Sequence, residues 1–135
     1  MKTQAIAAYA ASFVAFLALD LLWLGVVARG FYREQLGDLL RPDTRWGAAL
    51  AFYLLYIAGV VVFAVLPAAE KASLVRALVL GGFFGLVAYA AYDLTSLATT
   101  RGFPLLVAVV DLIWGTVLTA SVAAAGYLVA ARFGG

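Results

Sequence analysis

The sequence predicts an all-α integral membrane protein: a four-helix bundle with a short interfacial helix in its first loop. Two observations carry this. Of 135 residues, 67% are hydrophobic and only 12% charged, with a mean hydropathy of +1.07, far too little polar surface to cover a water-soluble core. The apolar residues also fall in long runs separated by short charged segments, the pattern of a chain whose solvent is lipid.

The runs cover about 5–28, 46–66, 74–98 and 104–131. A spanning helix needs ~20 mainly apolar residues. In lipid the backbone must satisfy its own hydrogen bonds, so runs of this length are helices. The chain reads as one transmembrane domain, 1–135. The start, Met1 to Gln4 ahead of an apolar run, has the look of a signal peptide. The run is long and carries Asp20 and Trp23 at its far end, which favours an uncleaved first span.

Residues 67–73 and 99–103 read as tight turns, making the helices on either side antiparallel neighbours. The longer link, 29–45, holds Phe31, Tyr32, Leu36, Leu39 and Leu40 among charged residues. That spacing gathers the apolar groups on one side of a short helix lying in the membrane interface. An ordered loop with a few apolar contacts is the alternative.

The chain has no histidine and no cysteine. Zinc sites of the usual kind, histidine-ligated haem, thiol catalysis and disulfides are excluded. There is no phosphate-cradling glycine loop, and a net charge of +2 spread over both sides points away from nucleic acid. No cofactor, metal or catalytic residue is expected. Lys2, Lys71, Arg76 and Arg132 fall on the side of the termini; Arg29, Arg33, Arg41, Arg45 and Arg101 fall on the other. With the cations so evenly divided, the positive-inside rule assigns no orientation.

The informative residues are three acids within apolar runs: Asp20, Asp93 and Asp111. A carboxylate at membrane depth costs roughly 2.5–3.5 kcal/mol on insertion scales when central, and no lysine or arginine lies within a span to offset it. With alternating helix directions all three sit at one level, about 5–10 Å from the midplane at a rise of ~1.5 Å per residue. The tight turn between the third and fourth helices brings Asp93 and Asp111 close.

On the third helix Tyr89, Asp93, Ser96 and Thr100 form one polar stripe, with Tyr92, Thr95 and Thr99 beside it. On the first, Tyr9, Phe13, Phe16, Asp20 and Trp23 share a face that favours packing over a ligand wall. On the second, Trp46, Tyr53 and Tyr56 lie toward the membrane side of the acids. Asp20-Leu21-Leu22-Trp23 is echoed by Asp111-Leu112-Ile113-Trp114, which places an aspartate and a tryptophan on one helix face twice. Trp23 suits an interfacial belt. Trp114 lies deeper, and its indole N–H calls for a partner such as an aspartate.

Several of these segments, taken together, resemble a family of small bacterial membrane proteins catalogued as domain of unknown function 2177. They are Asp20-Leu-Leu-Trp-Leu-Gly with the later Gly30-Phe-Tyr, Ala91-Tyr-Asp-Leu-Thr-Ser-Leu-Ala-Thr, Gly102-Phe-Pro and Asp111-Leu-Ile-Trp-Gly. The resemblance runs over almost the whole chain. Ser96 departs from it, standing where asparagine is expected and losing the amide's paired donor and acceptor. The resemblance implies four membrane helices in a multi-pass protein of the bacterial inner (cytoplasmic) membrane, and it implies no activity.

Function therefore rests on the residues. In one reading the acids and hydroxyls bind or move a small polar or cationic solute, or protons. Burial favours the neutral carboxyl, and a second carboxyl alongside favours it further. Asp93 and Asp111 form a coupled pair and Asp20 a third ligand. Tyr89, Tyr92, Ser96, Trp23 and Trp114 supply donors or ring walls, and Arg101 a counter-ion or gate. In the other reading the acids fix helix packing in an accessory subunit of a membrane complex or a homo-oligomer. Gly81 with Gly85 and Ala120 with Ala124 then supply close-packing faces. A third reading, enzymatic, starts from a faint resemblance of Asp93 and Asp111 to the paired aspartates of intramembrane aspartyl proteases. The glycine-containing motif before the second aspartate is absent, since Val109 and Val110 stand there.

Overall fold

The computed structural model describes residues 2–39 and 45–133. Leu40 and Arg41, counted above in the apolar face and the charge balance, lie outside the described residues. Every element among those described is helical: α1 (Lys2–Leu22), α2 (Phe31–Leu36), α3 (Trp46–Val60), α4 (Leu66–Glu70), α5 (Leu74–Thr99) and α6 (Leu105–Phe133). Wide π turns at Trp23–Val27 and Val61–Val65 extend α1 and join α3 to α4. Four helical stretches are thus long and apolar enough to cross a membrane: Lys2–Val27, Trp46–Glu70, Leu74–Thr99 and Leu105–Phe133.

The second span runs past Pro67 to Glu70, shortening the expected 67–73 turn to three residues. Proline lacks an N–H and clashes with the carbonyl a turn earlier. Here the π turn at Val61–Val65 widens the backbone directly ahead of it, so the helix continues. It stops where Ala72 takes a left-handed φ of 50° and the Ser73 N–H returns to the Ala68 carbonyl at 3.0 Å, a Schellman-type end. Ser73 then caps α5, its hydroxyl accepting from the Arg76 N–H at 3.1 Å.

α6 is the hub, packing extensively on α5 and α1, while the second span fits against this trio chiefly through its π turn. The α5–α6 seam is built from small residues. A Cβ added at Gly81 would lie 2.6 Å from Ala123 Cβ, one at Gly85 2.6 Å from Thr119 Cβ, and one at Gly115 2.5 Å from the Tyr89 ring. The antiparallel helices therefore meet in steps of four, Gly81, Gly85 and Tyr89 facing Ala123, Thr119 and Gly115. The α6 residues that meet Gly81, Gly85 and Tyr89 are Gly115, Thr119 and Ala123, with Ala120 of the expected Ala120–Ala124 pair beside them near Gly81 and Gly82. Across the bundle Gly126 admits Ser12 of α1, and Gln4 donates to the Ala130 carbonyl at 3.2 Å.

Phe16, Tyr56, Ile57, Val60, Val65, Leu118 and Val122 form the centre of the core. Large apolar side chains such as Ile6, Val14, Leu55, Phe63, Val79 and Ile113 face outward, as required of a surface bathed in lipid.

Candidate functional site

The small-residue seam sets the geometry of the acids. One further step of four along it brings Asp93 on α5 to the level of Asp111 on α6, where the two carboxyls neighbour each other. Asp93 is completely buried and Asp111 is 8% exposed. Neither carboxyl oxygen of Asp93 has a hydrogen-bond partner, a rare and costly condition for a buried polar group. Asp20 on α1 is half-buried. It lies within electrostatic reach of Asp111 and of Tyr53, Tyr56 and Tyr89.

Asp111 has a partner. Tyr32 of α2 donates its hydroxyl proton to Asp111 Oδ1 at 2.5 Å and accepts from Trp23 Nε1 at 3.0 Å. Burial, then the hydrogen bond to Asp111, push the Tyr32 phenol well above its ordinary range, so it remains a donor. The relay joins the end of the first span, the first loop and the fourth span through one hydroxyl.

The tryptophans are arranged otherwise than the Asp–Trp spacing suggests. Trp23 and Trp114 stack on each other, with ring centroids 4.4 Å apart and planes 9° from parallel. Neither bonds to the aspartate three residues before it. Trp23 gives its proton to Tyr32 and is thus more than a belt residue. Trp114 Nε1 has no hydrogen-bond partner, although the Asp20 carboxyl of the facing helix is its neighbour. The spacing identifies the right face, but Asp20 meets Trp114 of the facing helix and Asp111 meets Tyr32 of the first loop.

Of the sequence candidates, the structure gathers Asp20, Asp93, Asp111, Trp23, Trp114 and Tyr89. Ser96 is half-buried one turn further along α5. Tyr92 stands at the margin: it is 60% exposed, meets Phe103 edge-on and lies within electrostatic reach of Asp93 and Asp111. Arg101 is exposed in the turn before Pro104. Thr95 and Thr99, exposed, donate to the Ala91 and Thr95 carbonyls of their own helix. On the first helix the aromatic face is packing: Phe16 is buried between Tyr53 and Tyr56, while Trp46 is 70% exposed. Tyr56 closes a buried hydroxyl pair with Thr119 Oγ1 at 2.5 Å.

Tyr32 is the site residue that sequence reasoning does not assign, because its spacing groups it with the apolar face of the short loop helix. That face meets protein: Phe31, Tyr32 and Leu36 pack with Leu97 over Phe103, Val107 and Ala108. The available signal is its place in the Gly30-Phe31-Tyr32 segment.

Two surface grooves lie away from the acids. One of ≈ 310 Å³ is lined by Phe63, Leu80, Phe83, Phe84 and Val87, the other of ≈ 270 Å³ by Leu86, Leu112, Ile113, Thr116 and Val117. Both are apolar, as expected of helix seams filled by lipid chains. Among the described residues no group of three or more acids, histidines or cysteines has the arrangement of a metal site.

Residues 5–128 match the family model described as "Predicted membrane protein (DUF2177)". No curated protein and no solved structure matches the chain.

Proposed function

From the premise that the chain belongs to the DUF2177 family of predicted membrane proteins, we propose that it is an intramembrane acid site that binds, and passes across the bilayer, a proton or a small cationic solute. The observation carrying this reading is Asp93: fully buried, both oxygens unpartnered, and beside a second carboxyl. Two carboxylates so placed repel each other, and Asp93 lacks the donors that water would supply. A proton or cation held between them relieves both deficits. Asp93 and Asp111 are the binding pair, and Asp20, on the facing helix, is the next acceptor along the group. Tyr89 and the stacked tryptophans form its walls. The proposed location is the bacterial inner membrane, with lipid as the immediate partner. The reading contains no catalytic step.

The test is flux. Purified protein is reconstituted in liposomes loaded with a pH-sensitive dye, and a pH gradient or sodium, potassium or methylammonium ions are applied singly. The expected result is a proton or cation-coupled pH change that falls at least tenfold in both Asp93→Asn and Asp111→Asn, with helical circular dichroism unchanged. Flux equal to wild type in the variants, or wild-type flux equal to that of protein-free liposomes, overturns the reading.

A structural role is favoured by a different observation, the relay from Trp23 through Tyr32 to Asp111. In an accessory subunit such a network fixes the packing of helices and loop, each interhelical bond contributing ~0.5–2 kcal/mol. Under this reading Asp111→Asn lowers thermal stability or releases a partner protein, and liposome flux is absent throughout.

A further inference from the structure

We propose that α2 is a lid over the acid pair, latched shut by Tyr32. Asp93 and Asp111 lie between one and two helical turns from the ends of α5 and α6, which stop at Thr99 and start at Leu105. Leu97 stands four residues beyond Asp93 on α5, and Val107 stands four before Asp111 on α6. Val107 and Ala108 are each only 1% exposed, and they belong to the cluster against which Phe31, Tyr32 and Leu36 pack. An aqueous path from that end to Asp93 therefore passes beneath α2.

The segment is built to lift. Among the spans its principal contact is α6, and among the described residues the side-chain hydrogen bond to that helix is the one from Tyr32 to Asp111. Glycines stand on both flanks. Gly30 precedes α2, and Gly37 ends it with φ 50°. A Cβ at either would meet nothing within 4 Å; at Gly37 the left-handed φ accounts for the glycine and gives that flank of α2 a hinge position. The latch bears on the very carboxyl proposed to bind solute, so Tyr32 and a bound cation compete for Asp111. What the lid admits rests on the preceding reading, whereas its closure does not.

The absence of cysteine gives a direct test in the full-length protein. Ala108→Cys places one thiol beneath α2. In lipid vesicles it is exposed to a membrane-impermeant cationic thiosulfonate, and modification is followed by intact mass. Labelling should be slow with Tyr32 present and about tenfold faster or more in Tyr32→Phe, which keeps the ring and loses the hydrogen bond to Asp111. Val107→Cys serves as an independent second position. Ala130→Cys, buried at the opposite end of α6, should label equally slowly in both backgrounds. Equal rates at positions 107 and 108 with and without the Tyr32 hydroxyl overturn the lid. So does parallel acceleration at 130, which is general loosening. Fast labelling in Tyr32→Phe together with absent liposome flux leaves the lid standing and removes the transport reading.

Discussion

Two glycines one turn apart on α5, Gly85 and Gly82, should respond to alanine in opposite directions. At Gly85 an added Cβ would sit 2.6 Å from Thr119 Cβ and would also press on the Gly115 carbonyl and the Thr119 hydroxyl. Ordinary contact begins at 3.4 Å, so α5 and α6 must separate by about 0.8 Å, judged from the Thr119 contact alone. The obstruction includes backbone, which cannot rotate aside. Overpacking of this kind costs about 1–3 kcal/mol, and the shift is transmitted along the seam to Asp93 and Asp111. At Gly82 the nearest atoms to the same Cβ are Thr116 Cγ2 at 3.5 Å and Ala120 Cβ at 3.8 Å. There the methyl fits, and replacing glycine within a helix contributes about 0.5–1 kcal/mol. Unfolding by graded denaturing detergent, followed by circular dichroism, should show Gly85→Ala destabilised and Gly82→Ala equal to or more stable than wild type. A stable Gly85→Ala protein, or equal losses at both positions, would refute the claim that this seam sets the helix separation.

Three further outcomes follow from individual side chains. Asp93→Leu should raise resistance to detergent unfolding by about 1–3 kcal/mol, because it removes a buried polar group with no partner; a loss of stability would mean that Asp93 is satisfied within the bundle. Tyr56→Phe should cost about 1–2 kcal/mol by orphaning the buried Thr119 hydroxyl, and a Tyr56→Phe, Thr119→Val double variant should recover part of it, whereas additive losses would contradict the pairing. Tyr32 is held protonated above its ordinary value of 10.0. Its tie to Asp111 is therefore at full strength below that value and lost only as pH rises through the higher folded value. Phenolate absorbance of wild type and Tyr32→Phe should coincide through about pH 10; a tyrosine step near pH 10 present only in wild type would contradict the buried donor.

The four spans were legible because length and hydropathy report directly on a lipid solvent. Their ends were less so: proline at 67 reads as a stop, and a local π turn that absorbs it leaves no signature in hydropathy. The acids were legible as a group because depth follows from counting residues along helices of alternating direction. Their partners were not. Tyr32 and Asp111 are 79 positions apart, and nothing in either local pattern encodes that meeting. Spacing also leaves open which small residues of α6 line the seam, Ala120–Ala124 being one series and Gly115–Thr119–Ala123 the other. Both series are small, and only the angle at which α5 approaches distinguishes them. Tyr92 shows a related limit, since the exposure of a neighbour of the polar stripe follows only from the helix rotation.

The hub position of α6 bears on biosynthesis. The fourth span leaves the ribosome after the other three, yet it supplies the surface against which α1 and α5 bury Ser12, Gly81, Gly85 and Asp93. Until it inserts, the earlier helices wait in the bilayer with a serine, two aspartates and their glycine faces turned to lipid, a partly assembled state open to misassociation. Nascent chains halted before residue 105 should be prone to quality-control proteolysis, and α6 supplied as a separate segment should rescue them.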